Sequence, residues 1–313
     1  MNGRERFKGF LNREPLTRPA FVPLIRGLLA RVEGMSMETL TSDPTLWANG
    51  LEKTARLFDL DGVVVGVDFS LLAEASGCPV VWEEDRPTLM PLQGGLNEAP
   101  EQSGRIRHAL EAARRLIETC RSEMACLVAL TGPVTLASQL FGPEEGPERT
   151  REVKTLLVRV AEAFCAVRPD ALLFLEDSPS WAGPTSQHRR VYNTLKNIAS
   201  HYNVSSGLYL QGADPDNLSS FSELNLDIYI LGRPEKDQTP APSALWELGE
   251  GALGVGLGVP LDDMGRAKEI MDDGIRLYRE RPGPGFFLTS AGPVHRDTDL
   301  EAFHALADEI RCL

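Results

Sequence analysis

Gly62-Val63-Val64-Val65-Gly66-Val67-Asp68 decides the reading of this chain. Four valines without polar alternation describe a strand buried on both faces, and the run ends on a carboxylate. Outward from it, similar short apolar runs recur at residues 20–26, 126–131, 171–177, 207–211, 226–231, 252–257 and 285–290. Long amphipathic stretches separate them. Alternating βα units of this kind build a parallel sheet, and about eight strands close it into a barrel. The expected fold is therefore α/β, a (β/α)8 TIM barrel, as a single domain over residues 1–313.

The intervening stretches carry helical signals. Ile106, Ala109, Leu110, Ala113, Leu116, Ile117 and Cys120 fall on one stripe, and Val153, Leu156, Leu157, Val160 and Phe164 on another. Ser42-Asp43-Pro44 is a helix start, with a capping oxygen followed by a residue that needs no N–H partner. Gly254, Gly256 and Gly258 form a G-x-G-x-G run, but Val259-Pro260 follows rather than a phosphate-binding helix. That run is read as close backbone packing. Residues 83–104 and 232–242 are longer than barrel connections need, so they are candidate lids.

A net charge of −13 and a pI near 5.0 repel a phosphate backbone, so nucleic-acid binding is not expected. No apolar run has membrane-spanning length, and the charged start lacks a secretory core, which makes the cytoplasm the expected location. The five cysteines are scattered without a C-x-x-C, against a disulfide framework or a structural zinc.

Barrel chemistry sits where strands end. Those ends carry Arg26, Asp68, Glu176 with Asp177, Tyr209 with Gln211, Arg233 and Ser290, with His295 just beyond. Asp68, Glu176, Tyr209 and His295 are the candidates for proton transfer or polar catalysis. Arg26, Gln139, Asp177, Gln211, Arg233 and Ser290 are the candidates for holding substrate. Arg26 offers a planar fork for a carboxylate. Glu176 and Asp177 are neighbours on one strand, so only one of them can face the barrel axis.

Asp68-Phe69-Ser70-Leu71-Leu72-Ala73-Glu74-Ala75-Ser76-Gly77-Cys78 and Thr131-Gly132-Pro133-Val134-Thr135-Leu136-Ala137-Ser138 resemble two signatures of the uroporphyrinogen decarboxylase superfamily. Arg4-Glu5-Arg6-Phe7 with Pro23-Leu24-Ile25-Arg26 resembles its opening. The resemblance runs over essentially the whole chain. It implies Asp68 as the residue that binds pyrrole N–H groups in the decarboxylases, and Arg26 as the first arginine of their arginine-rich loop. The family's tyrosine falls near Gln139 and its last histidine near Ala291, both departures from the decarboxylase pattern.

The other branch of the superfamily is corrinoid-linked methyltransferases, whose zinc H-x-C pair corresponds to Tyr209-Leu210-Gln211. No thiolate or imidazole stands there, so no metal site is expected. The wording around Ala73-Glu74-Ala75 and Gly132–Ser138 is closer to this branch. The resemblance therefore implies a corrinoid-linked methyltransferase lacking the zinc H-x-C site. No cofactor is expected to be bound tightly; the corrinoid would be supplied by a partner protein. A porphyrinogen decarboxylase-type lyase and a non-catalytic tetrapyrrole- or corrinoid-binding protein are the alternatives. The small-molecule partner would be a methyl donor or a tetrapyrrole, and a homodimer is an allowed assembly.

Overall fold

Residue alternation along the strands sorts the apolar side chains into two cores. One lies inside a ring of strands and contains Val64, Leu127, Ala129, Ala171, Leu173, Leu175, Tyr209, Ile230 and Phe287. The other lies between the strands and the surrounding helices and contains Val63, Val65, Leu172, Phe174, Leu210 and Leu288. Two apolar faces per strand require cover on both sides, which a helix-jacketed barrel supplies. The computed structural model describes residues 1–177, 181–211, 215–232, 242–280 and 285–313.

In chain order the strands are β1 (Ala20–Phe21), β2 (Gly62–Val65), β3 (Val80–Glu83), β4 (Arg86–Leu89), β5 (Ala125–Thr131), β6 (Ala171–Asp177), β7 (Ser205–Gln211), β8 (Ile228–Leu231), β9 (Gly254–Val259) and β10 (Gly285–Ser290). Eight of them form one parallel sheet in the order β1-β10-β9-β8-β7-β6-β5-β2. The expected (β/α)8 barrel is what forms. At the β1/β2 seam, the Asp61 N–H donates to the Phe21 carbonyl at 3.0 Å, and the Asp61 carboxylate accepts the Phe21 N–H at 2.8 Å.

Two expectations need correction. The run 20–26 makes only a two-residue strand, because Pro23 has no N–H for the ladder and the chain then bends at Ile25–Arg26. Residues 83–104 are not wholly irregular. β3 and β4 pair antiparallel as a hairpin, with Val80 opposite Leu89 and Glu83 opposite Arg86. Glu84 turns it at φ 56°.

The bottom of the barrel is stoppered by the helix Gly3–Leu11. Phe10 packs 4.8 Å from Phe287, and Phe7 meets the same ring edge-on at 5.5 Å. The glycines of β9 belong to this packing: a Cβ on Gly254 would strike the Phe10 ring, and one on Gly256 the Phe287 ring. Asp43 caps the helix Pro44–Leu57 through the N–H groups of Thr45 and Leu46. Among the described residues, no helix is long and apolar enough to cross a membrane.

Candidate functional site

At the C-terminal ends of the strands lie two adjoining hollows of about 250 and 350 Å³. Arg26, Phe69 and Pro293 border both. Asp68 and Gln139 line the smaller; Asp177, Gln211 and His295 line the larger. Five strand ends and one following helix thus deliver polar side chains to one mouth. The hairpin reaches over it, with Pro87 and Leu89 above the smaller hollow and Glu84, Asp85 and Arg86 above the larger.

Asp68 follows β2 and is buried. Its Oδ1 accepts from the Ser70 N–H at 2.9 Å and the Ser70 hydroxyl at 2.7 Å. Its Oδ2 accepts from Arg105 at 2.7 Å and lies 3.5 Å from Arg26. Burial pushes the Asp68 carboxyl up, but Arg26 and Arg105, helped by Ser70, outweigh this and hold it below its ordinary value. Asp68 is thereby a fixed anion.

Asp177 ends β6 on the side shared by Leu173 and Leu175, so it faces the barrel axis. Its side chain is exposed to the mouth, and the partial desolvation there raises its carboxyl. Two carboxylates on one mouth thus titrate in opposite directions from their ordinary values.

Glu176 belongs elsewhere. Its parity turns it outward with Leu172 and Phe174, into the helical layer. There its carboxylate accepts from the N–H groups of Val134 at 3.0 Å and Thr135 at 2.7 Å, and from the Tyr192 hydroxyl at 2.5 Å. It anchors the start of the helix Pro133–Phe141, which has no cap of its own. Burial raises its carboxyl despite these donors. The expectation that Glu176 lines the mouth is corrected on this geometry.

Tyr209 points inward but lies under the floor. It is fully buried, and its hydroxyl donates to the Ala291 carbonyl at 2.8 Å while sitting 3.2 Å from Gln211 Oε1. Ser290 is likewise not open to the mouth; its hydroxyl accepts the Leu24 N–H at 2.9 Å and ties β10 to the β1 segment. His295 stands exposed on the rim. Gln139 donates to the Phe69 carbonyl at 3.0 Å. Arg233 lies outside the described residues, as does most of the candidate lid at 232–242. Among the described residues no three His, Cys, Asp or Glu side chains gather as metal ligands.

Two participants were not foreseen. Arg105 sits in the first turn of the helix Gly104–Cys120, 37 residues from the acid it pairs with. Asp85, at the hairpin tip, receives the Met37 N–H at 2.8 Å and Arg296 at 2.6 Å, while its carbonyl accepts Arg26 at 3.1 Å. The available signal for Arg105 was a lone arginine among the apolar positions opening a helix, which sequence alone does not pair with a partner.

The family profile described as Uroporphyrinogen decarboxylase (URO-D) matches residues 2–167, more than half of the chain. The protein belongs to the uroporphyrinogen decarboxylase family. No curated protein sequence matches it. Among solved structures, a methyltransferase from Methanosarcina mazei superposes with a TM-score of 0.78 at 19% identity, covering 99% of this chain and 99% of that one. A B12-independent methionine synthase from Shewanella sp. W3-18-1, in complex with selenomethionine, superposes with a TM-score of 0.58 at 15% identity, covering 86% of this chain and 88% of that one. At these identities the likeness is one of fold.

Proposed function

We propose that this protein is a methyl-transfer enzyme that takes a methyl group from a small neutral or cationic donor in the barrel mouth and passes it to a corrinoid brought by another protein. The observation that carries this reading is charge. Among the described residues, three arginines, Arg26, Arg86 and Arg296, stand around the two hollows against five carboxylates, Asp68, Glu84, Asp85, Asp177 and Asp297. In a chain of net charge −13, such a mouth repels a polyanion and favours a cation. An octa-acid porphyrinogen is a poor match. Asp68 also has both oxygens engaged by Ser70 and the arginines, which leaves it badly placed to collect pyrrole N–H groups.

In this reading Asp177 is the proton donor. As the methyl group departs, the bonding pair stays on the donor's oxygen or nitrogen; Asp177 protonates that atom when the donor is neutral, whereas a cationic donor leaves as an uncharged amine without a proton. A carboxyl raised above its ordinary value gives up less readily the proton such a task needs. Asp68 with Arg26 fixes the polarity of the inner wall. Phe69, common to both hollows, offers aromatic surface to a methylated ammonium centre. Gln211 and His295 contact the outer part of the donor. The corrinoid supplies the nucleophile that accepts the methyl group.

The test uses reduced cobalamin with mono-, di- and trimethylamine, tetramethylammonium and methoxylated aromatics, following methylcobalamin by absorbance. Wild type turns over at least one donor. Asp177→Asn slows donors whose leaving group needs a proton by about 100-fold. It spares the maximal rate with tetramethylammonium, which leaves as an uncharged amine, and weakens only the binding of that donor. Carbon dioxide release from uroporphyrinogen, lost in Asp68→Asn, would replace this reading with the carboxy-lyase one. Tight corrinoid binding without turnover of any donor would replace it with a carrier.

A further inference from the structure

Arg105 joins several parts of the mouth, although it is not among the described residues that line either hollow. It is buried, and one guanidinium serves four neighbours. Nη1 donates to Asp68 Oδ2 at 2.7 Å and Nη2 to the Ser70 hydroxyl at 2.9 Å. Nε donates to Glu74 Oε2 at 2.6 Å, with Nη2 2.5 Å from the same oxygen. The plane's carbon lies 4.9 Å from the ring centroid of Trp82 on β3.

These neighbours belong to different parts of the mouth. Asp68 and Ser70 form the wall of the smaller hollow. Trp82 is paired with Pro87, which roofs that hollow, and shares the hairpin's inward face with Leu89. Two acids on one arginine, Asp68 buried and Glu74 half-buried, would be satisfied by charge alone. The aromatic contact is different: it attracts a cation only where the cation is held, and Asp68 shares that hold with Glu74 and Ser70. Arg26, by comparison, approaches Asp68 only to 3.5 Å.

We propose that Arg105 is a positioning residue that ties the carboxylate of Asp68 to the seating of the hairpin 80–89, so that whatever engages one is felt by the other. A donor entering the smaller hollow must pass the hairpin and then meets Asp68. The coupling makes hairpin closure depend on what Asp68 touches, and it is reciprocal by thermodynamic necessity. The charged groups around Asp68 are Arg26 from the β1 segment and Arg105 from its helix. Glu74 and Asp85 are the other acidic-segment partners of those two arginines. The proposal goes beyond the methyl-transfer reading, and its test reads no turnover, so the two stand or fall separately.

The experiment pairs hydrogen exchange of residues 80–89 with a carbon-13 titration of the Asp68 carboxyl, assigned by its loss in Asp68→Asn. Asp68→Asn is expected to speed hairpin exchange about five-fold, the scale of one cation–π contact. Trp82→Leu is expected to move the Asp68 titration upward. Arg105→Lys, which keeps the charge but loses the fork and the flat face, should do both. Should Arg105→Lys fail to fold, the other two variants still decide the matter. Wild-type hairpin exchange in folded Asp68→Asn, or an unmoved Asp68 titration in folded Trp82→Leu, overturns the proposal and leaves Arg105 as a neutralising ion alone.

Discussion

The two ends of β2 carry the same chemistry for different ends. Asp61 precedes the strand and Asp68 follows it; both are buried, and each meets two arginines. At the bottom, Asp61 takes Arg6 at 2.5 Å and Arg18 at 2.6 Å, and it also accepts the Phe21 N–H across the seam where the sheet closes. At the top, the Asp68 carboxylate bonds no distant backbone among the described residues. Its local partner is Ser70, its firm cation is Arg105, and its second cation, Arg26, stands at 3.5 Å on the edge of both hollows. An acid that joins chain to chain is structural. Asp61 and both its arginines border a hollow as well, so it is the bond across the seam, which Asp68 lacks, that sets the two acids apart. This matches the general division of barrels into a stabilising bottom and a chemical top.

The most forceful way to break the comparison is to remove each acid. Asp61→Ala should cost about 3–5 kcal/mol, because it strands the buried Arg6 and the half-buried Arg18 and opens the seam. Asp68→Asn should cost about 1–3 kcal/mol, since Arg105 keeps Glu74. Chemical denaturation measures both, and equal losses would erase the distinction between the two ends.

A finer contrast separates neighbours on β6. Glu176→Ala should destabilise by about 2–3 kcal/mol, because two helix N–H groups and the Tyr192 hydroxyl lose their acceptor. Asp177→Asn should change stability by no more than about 0.5 kcal/mol while abolishing most proton-dependent turnover. The reverse pattern would exchange their roles.

Acid titration sharpens the top end further. The Asp68 carboxyl is lower in the folded chain than its ordinary value, so the folded state binds fewer protons there. Its contribution is present above that ordinary value and is lost as pH falls through the lowered one. Melting temperature followed down to about pH 2 should therefore fall less steeply in Asp68→Asn than in wild type.

The smallest effect is expected at the hairpin tip. Arg296 is 46% exposed, so Arg296→Ala should cost only about 0.2–1 kcal/mol. It should show mainly as faster, salt-sensitive proteolysis at residues 84–86.

Much of the fold was legible because two-sided burial leaves an unmistakable trace: Val63-Val64-Val65 and Leu172-Leu173-Phe174-Leu175 admit little else. The same feature hid part of the site. With both faces of β6 apolar, nothing in the sequence says which of Glu176 and Asp177 looks inward; only the barrel's register decides. The hairpin was read as loop because its strands are short and Pro87 interrupts one of them. Arg105 was missed because its partners are 31 and 37 residues away, a separation no local pattern spans. Arg26 and Asp68 could be placed at the mouth because barrel geometry brings strand ends together whatever their spacing.

Calorimetric titration of wild type and Asp177→Asn with tetramethylammonium, and of wild type with uroporphyrin, tests the selectivity of the mouth for cations most directly. The account predicts that tetramethylammonium binds, that Asp177→Asn weakens it about ten-fold, and that uroporphyrin does not bind. Uroporphyrin binding with no response to tetramethylammonium would contradict it.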